Sequence, residues 1–263
     1  MNTLETYIPL GLRNVQELYG VPPWLTVLFA VLMFGGWSAV YFVIIRRCFK
    51  EKTYGIPVVS ACTNIVWETI FTMNLAGAVN QYLRFGNAFW MIPDSLIVLQ
   101  IYLYGKNAQT NPWVKKNFYA IVTSTLMVSS MGIYELIRYN NDVFGVATSW
   151  TMNITVSALL LNLFFHRPDL RGVPYSATWF KLIGNVGGAL FCYYWWPAQF
   201  TDHKLLTSFA GQPITVAEPL SYAYLHLLYV LCPVLDVLMI YLVWKRREEL
   251  RGAAVVMDAV HAS

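Results

Sequence analysis

The sequence predicts an all-α integral membrane protein, a bundle of seven transmembrane helices with the N-terminus outside and the C-terminus in the cytosol. Three observations predict it. The 263 residues are 57% hydrophobic and 12% charged, against about 25% charged in an average soluble domain. Apolar stretches of the roughly 17–25 residues needed to cross a ~30 Å hydrocarbon core recur along the whole chain. The basic residues, finally, crowd into alternate loops, as the positive-inside rule requires.

The spans fall near Trp24–Ile45, Ile56–Val79, Ala88–Tyr104, Phe118–Ile137, Phe144–Phe165, Ala177–Pro197 and Leu220–Trp244. The third is the shortest and has the weakest signal. Residues 1–22 form an N-terminal interfacial segment, 23–245 the seven-helix domain and 246–263 a cytosolic tail. In the first segment Leu4, Ile8, Leu12, Val15 and Leu18 recur at helical spacing, which predicts an interfacial helix broken at Pro9. Its acids, Glu5 and Glu17, and the absence of a basic start argue against a cleavable signal peptide.

Orientation follows from charge. With the N-terminus outside, the cytosolic side carries Arg46, Arg47, Lys50, Lys52, Lys106, Lys115, Lys116, Arg167, Arg171, Lys245, Arg246, Arg247 and Arg251. The outer side carries only Arg13, Arg84, Arg138 and Lys204. The net charge of +4 therefore belongs to topology, and no nucleic-acid partner is implied. Cys48, Cys62, Cys192 and Cys232 are scattered without metal-ligand spacing, so reduced, unpaired thiols are expected. Tyr193, Tyr194, Trp195 and Trp196 end the sixth span as an interfacial aromatic anchor. The long loop from Ala198 to Pro219 either covers the outer mouth of the bundle or is an ordinary connector.

Ionisable groups at membrane depth cost about 2.5–3.5 kcal/mol on insertion scales and mark functional positions by default. Glu68, Asp94 and Asp236 lie well inside spans two, three and seven. A rise of ~1.5 Å per residue puts Glu68 ~18 Å from the cytosolic edge and Asp94 at nearly the same level. Asp236 falls ~12 Å above the cytosolic side on the same rise. The three acids are thus expected to surround one central cavity. Asn64 precedes Glu68 by four residues and is expected to hydrogen-bond its carboxyl. Lys181 is expected to snorkel to the interface, with a place in the site as the alternative; Glu135 and Arg138 read as a local ion pair.

A carboxyl in water-poor, apolar surroundings favours its neutral form and can act as a general acid. Aromatic faces stabilise a carbocation by roughly 0.5–2 kcal/mol each. Trp67, Trp90, Trp150, Tyr222 and Tyr229, with Asn64 and Lys181, make up the expected substrate-contacting set. A dry acid with an aromatic lining is the environment for proton-initiated cyclisation of a polyene that enters from the lipid.

The run Thr53-Tyr54-Gly55-Ile56-Pro57 followed by Asn64-Ile65-Val66-Trp67-Glu68 resembles the second-helix signature of the small integral membrane terpene cyclases. These enzymes serve fungal meroterpenoid and indole-diterpene pathways and have bacterial relatives. Trp150, Arg171-Gly172 with Tyr175-Ser176, Gly184, the Trp196-Pro197 helix end and Asp236 are similar to the same family. The resemblance implies metal-independent cyclisation of a prenylated lipophilic substrate, usually an epoxidised chain on an aromatic or polyketide head. It implies that Glu68 and Asp236 are the essential acids, with Asp94 a third catalytic candidate, and that no cofactor or metal is needed. Lys181 stands where many members carry Arg. There is no DDxxD or DxDD run of the soluble cyclases.

Such an enzyme is expected to work beside a membrane prenyltransferase and a flavin epoxidase. It would reside in the endoplasmic reticulum of a fungus or the plasma membrane of a bacterium. A small proton-coupled transporter using the same acids as a relay is the alternative, but no internal repeat supports it. A retinal protein would need a lysine deep in the last helix, and none precedes Lys245 there.

Overall fold

The computed structural model describes residues 13, 15–17, 19–75, 81–139, 142, 145–201 and 220–261. The side chains of 81–83, 195–201, 220–223 and 254–261 are outside that set. Among these residues seven helices of fifteen or more residues make up the bundle: α1 Pro23–Glu51, α2 Val58–Thr72, α3 Gln81–Gln100, α4 Phe118–Tyr139, α5 Val146–Phe165, α6 Tyr175–Thr201 and α7 Leu220–His261. A five-residue helix, Pro112–Lys116, bridges α3 and α4. Five stretches are long and apolar enough to cross a membrane: Pro23–Glu51, Arg84–Ala108, Phe118–Tyr139, Val146–Phe165 and Tyr224–Ala253. Their outer faces leave Phe42, Phe85 and Met131 two-thirds or more exposed, a surface suited to lipid rather than water.

The helix boundaries depart from the sequence reading where backbone signals override hydropathy. The shortest helix is α2, not α3. It stops at Thr72, well before the expected Val79, because Asn74 takes a left-handed conformation with φ 55°. The Asn74 N–H then bonds Phe71 O at 3.2 Å and the Leu75 N–H bonds Ile70 O at 2.9 Å, a Schellman closure. In contrast α3 starts earlier than expected, at Gln81, contains Pro93, and continues through a π turn, Ile101–Gly105, and a 3-10 turn, Lys106–Ala108. The sixth helix runs past Trp196-Pro197 to Thr201, and α7 carries the expected tail as helix to His261. Cys48 lies inside α1, and all four cysteines are free.

The helices pack α1 against α6, α2 against α3 and α4, and α7 against α5 and α6. Close approach of α1 and α6 requires glycine. A Cβ on Gly36 would sit 2.5 Å from the Gly184 backbone nitrogen, and one on Gly187 would sit 2.7 Å from that of Met33. Small residues let helices approach until van der Waals contact replaces the missing hydrophobic drive between them. Val15 is fully buried against Val21, Leu25 and Tyr194. Tyr194 also packs on Tyr19 and Phe29, so it holds the N-terminal segment rather than serving only as a lipid anchor. Pro9 and the other apolar positions of that segment, and residues 202–219, lie outside the described residues.

At the basic end the α5–α6 loop is clamped to the end of α1 and to the connection between α1 and α2. Arg171 Nη2 donates to Glu51 O at 2.6 Å and the Gly172 N–H donates to Glu51 Oε2 at 2.7 Å. Arg167 donates to the Tyr54 carbonyl and lies over its ring, 4.3 Å from the centroid. This clamp holds the connection that leads into α2, the helix that carries Glu68.

Candidate active site

A cavity of about 250 Å³ opens between α1, α2, α3, α5 and α6. Trp37, Trp67, Trp90 and Trp150 form much of its wall, and Asn64, Glu68, Asn87, Asn153 and Asn185 supply polar atoms. Glu68 is 5% exposed, and its Oε2 has no hydrogen-bond partner among the described residues. An unpartnered buried carboxyl oxygen is costly to maintain. Glu68 is one of the residues lining the cavity, the position that a proton donor to a bound molecule requires.

Asp94 is buried but does not line this cavity. It accepts a hydrogen bond from Tyr41 Oη at 3.3 Å, and Tyr41 in turn accepts from Asn64 Nδ2 at 3.5 Å. Asn64 therefore donates to Tyr41 and not, as expected, to the Glu68 carboxyl. Tyr41 stands on the wall between Asp94 and the cavity.

Asp236 lies elsewhere. It lines a second cavity of about 30 Å³ that shares Trp37 and Val156 with the first. Lys181 Nζ pairs with its Oδ1 at 2.5 Å and with Ser157 Oγ at 2.6 Å, while Asn185 Nδ2 donates to its Oδ2 at 2.5 Å. Lys181 is 4% exposed and does not snorkel; the sequence could not reveal that a counter-charge waits on another helix. Of the three acids expected around one cavity, only Glu68 faces it, because the α-helical phase turns Asp94 and Asp236 behind Tyr41 and Asn185.

Asn64, Trp67, Trp90 and Trp150 of the expected contacting set line the cavity. Trp90 stacks on Phe34 with centroids 4.4 Å apart. Tyr229 stands behind the wall, edge-on to Trp150 at 4.7 Å. Tyr222 lies in the first turn of α7, and its side chain is outside the described residues. The Glu135–Arg138 pair forms at 3.8 Å on the surface.

Hydropathy and charge gave no warning of Tyr41, Asn87, Asn153, Asn185 or Asp142. Tyr41 had a weak signal, Trp37 one turn before it on the same helix face. Asp142 sits in the α4–α5 connection and caps α5, accepting from Thr148 N at 2.7 Å, Thr148 Oγ at 2.7 Å and Ala147 N at 3.2 Å. Thr148 Oγ accepts from Trp67 Nε1 at 2.8 Å, so this cap orients a wall of the cavity. Burial pushes the Asp142 carboxyl up, against the Thr148 and Ala147 hydrogen bonds that pull it down. Gly145, between cap and helix, has φ 70° and packs against Trp67 and Phe71, where a Cβ has no room.

With this geometry in place, comparison decides the class. The model of the Pyr4-like transmembrane terpene cyclases matches residues 13–232. The chain belongs to that family. Among curated relatives, the Pyr4-family terpene cyclase mfmH of Annulohypoxylon moriforme is 24% identical over 164 residues, 61% of this chain and 67% of the relative. Terpene cyclase macJ of Penicillium terrestre is 24% identical over 194 residues, 68% and 70% of the two chains. Terpene cyclase pyr4 of Aspergillus fumigatus is 22% identical over 209 residues, 73% and 80%. No solved structure matches the chain. As a Pyr4-like cyclase it is a membrane protein, and the family match holds all of the larger cavity and stops four residues before Asp236.

Proposed function

We propose that this terpene cyclase folds a prenyl chain, with a terminal epoxide, into the larger cavity and starts its cyclisation by proton transfer from Glu68. The supporting observation is that Glu68, a buried carboxyl with one oxygen unpartnered among the described residues, is one of the residues lining a tryptophan-walled cavity. The Glu68 proton passes to the epoxide oxygen, the C–O bond to the more substituted carbon breaks, and the neighbouring alkene attacks the cationic carbon. Tryptophan faces stabilise the successive cations and the apolar wall excludes water. Loss of a proton, or attack by a substrate oxygen followed by loss of its proton, ends the cascade. Tyr41 and Asp94, both close enough to act on Glu68 or on each other electrostatically, return a proton to it.

No metal is assigned a step. The substrate is a farnesyl or geranylgeranyl chain on an aromatic, polyketide or indole head, supplied by a prenyltransferase and a flavin epoxidase. All seven helices cross the bilayer with the basic end in the cytosol, in the endoplasmic reticulum of a fungal cell or the plasma membrane of a bacterial one. A proton-coupled transporter is disfavoured by membership of a cyclase family. The test is Glu68→Gln in microsomes given a terminally epoxidised farnesyl phenol. Loss of the cyclised product with the protein still present is expected; full retention removes Glu68 from the role of acid.

A further inference from the structure

The amides of Asn153 on α5 and Asn185 on α6 meet at the wall of the larger cavity. Asn153 Nδ2 donates to Asn185 Oδ1 at 2.7 Å, and Asn185 Nδ2 donates to Asp236 Oδ2 at 2.5 Å and, longer, to Asn153 Oδ1 at 3.5 Å. Asn185 is 1% exposed. An amide can be turned end for end with little change in shape, so what decides its orientation is its partner. Here the partner is a carboxylate that only accepts. Asp236 is held in that role by Lys181 at 2.5 Å and by Ser157 Oγ at 3.3 Å, and Lys181 is steadied against the Trp37 ring. Asn185 must therefore turn its NH2 toward Asp236 and its oxygen toward Asn153, which fixes Asn153 in turn.

The inventory of the locked pair is then set. Both Asn185 N–H groups are used, one Asn153 N–H is free, and each amide oxygen keeps one lone pair. The wall offers two acceptors and one donor side by side. A hydroxyl group matches this set, donating to an amide oxygen and accepting the Asn153 N–H, whereas an ether or a ketone can only accept. We infer that Asn153 and Asn185 form the subsite for a hydroxyl on the head of the substrate, and that Asp236 with Lys181 is the positioning device that sets the polarity of this subsite. The inference rests on the cyclase reading for its ligand class, and it assigns Asp236 an effect through Asn185 rather than proton donation to the chain.

The test uses the purified full-length protein in lipid nanodiscs. Quenching of tryptophan fluorescence reports binding of unepoxidised farnesyl phenol, its O-methyl ether and a farnesyl aryl ketone. The native protein binds the phenol roughly tenfold tighter than either other probe, the effect of one added hydrogen bond. Asn153→Ala and Asn185→Ala erase that preference by weakening phenol binding more than ether binding; Asp236→Asn, which frees Asn185 to turn, reduces the preference. Equal binding of the three probes by the native protein overturns the inference even if every variant misfolds. So does an equal weakening of all probes in folded variants, which is what a structural role produces. Turnover of the epoxidised phenol is measured alongside. Preference without turnover sinks the cyclase reading and keeps the subsite, and turnover without preference does the reverse.

Discussion

Glu68 and Asp236 are both buried carboxyls, 5% and 3% exposed, yet their surroundings are opposites. Glu68 faces a cavity with one oxygen unpartnered, whereas Asp236 is saturated by Lys181, Ser157 and Asn185. Burial alone does not tell a reacting acid from a structural or positioning one; the inventory of partners does. A carboxyl whose oxygens already accept from three donors has little left to offer a ligand, while one with an idle oxygen in a residue lining a cavity is arranged to meet one.

The largest expected effect separates the two sites by chemistry. Glu68→Gln keeps the volume and loses the proton, so turnover falls by roughly 10²–10⁴-fold with an unchanged melting temperature. A melting temperature that falls with turnover would place Glu68 on the structural side of the comparison. Asp236→Ala acts on stability: it strands the Lys181 charge and costs about 3–5 kcal/mol, read as a lowered unfolding midpoint in detergent. Asp236→Leu with Lys181→Met removes both charges and recovers most of that loss. Failure to recover would mean that the pair does more than balance itself.

A smaller effect tests the route between Asp94 and Glu68. Tyr41→Phe removes the hydroxyl joining Asp94 to Asn64, and a turnover loss of about tenfold is expected. Asp94→Asn added to it should cost little more, since residues of one network are not additive; full additivity in a double-mutant cycle breaks the link. The smallest effect concerns Asp142. Its carboxyl is raised in the fold, so its contribution to stability is greatest below the ordinary carboxylate range and declines as pH rises through the raised folded value. The stability of the native protein relative to Asp142→Asn should fall as pH is taken from 4 to 8. A difference independent of pH would show that the capping hydrogen bonds alone matter.

The likeness noted in the sequence divides between two places. Asn64, Trp67 and Glu68 stand at the cavity, whereas Tyr54-Gly55 and Arg171-Gly172 meet at the basic end, where Arg167, Arg171 and Glu51 tie the loop to the end of α1 and the connection before α2. One signature thus holds both the acid and part of the brace on the connection that leads into its helix. The acids were legible because charge in an apolar run is conspicuous. Tyr41, Asn153 and Asn185 were not, because an uncharged polar residue in a span serves equally well as glue between helices.

Hydropathy and charge by themselves determined the all-helical class, the approximate positions of the apolar helices and the acids within them, since the free energy of placing each residue in lipid depends mainly on its own composition. Which acid faces the cavity, which is matched by a cation and which stands behind a tyrosine was decided only by the tertiary structure. Those outcomes depend on helix rotation and on partners far apart in the chain. Lys181 and Asp236, 55 residues apart, become one neutral unit only when α6 and α7 pack, and no periodicity within either helix encodes that meeting.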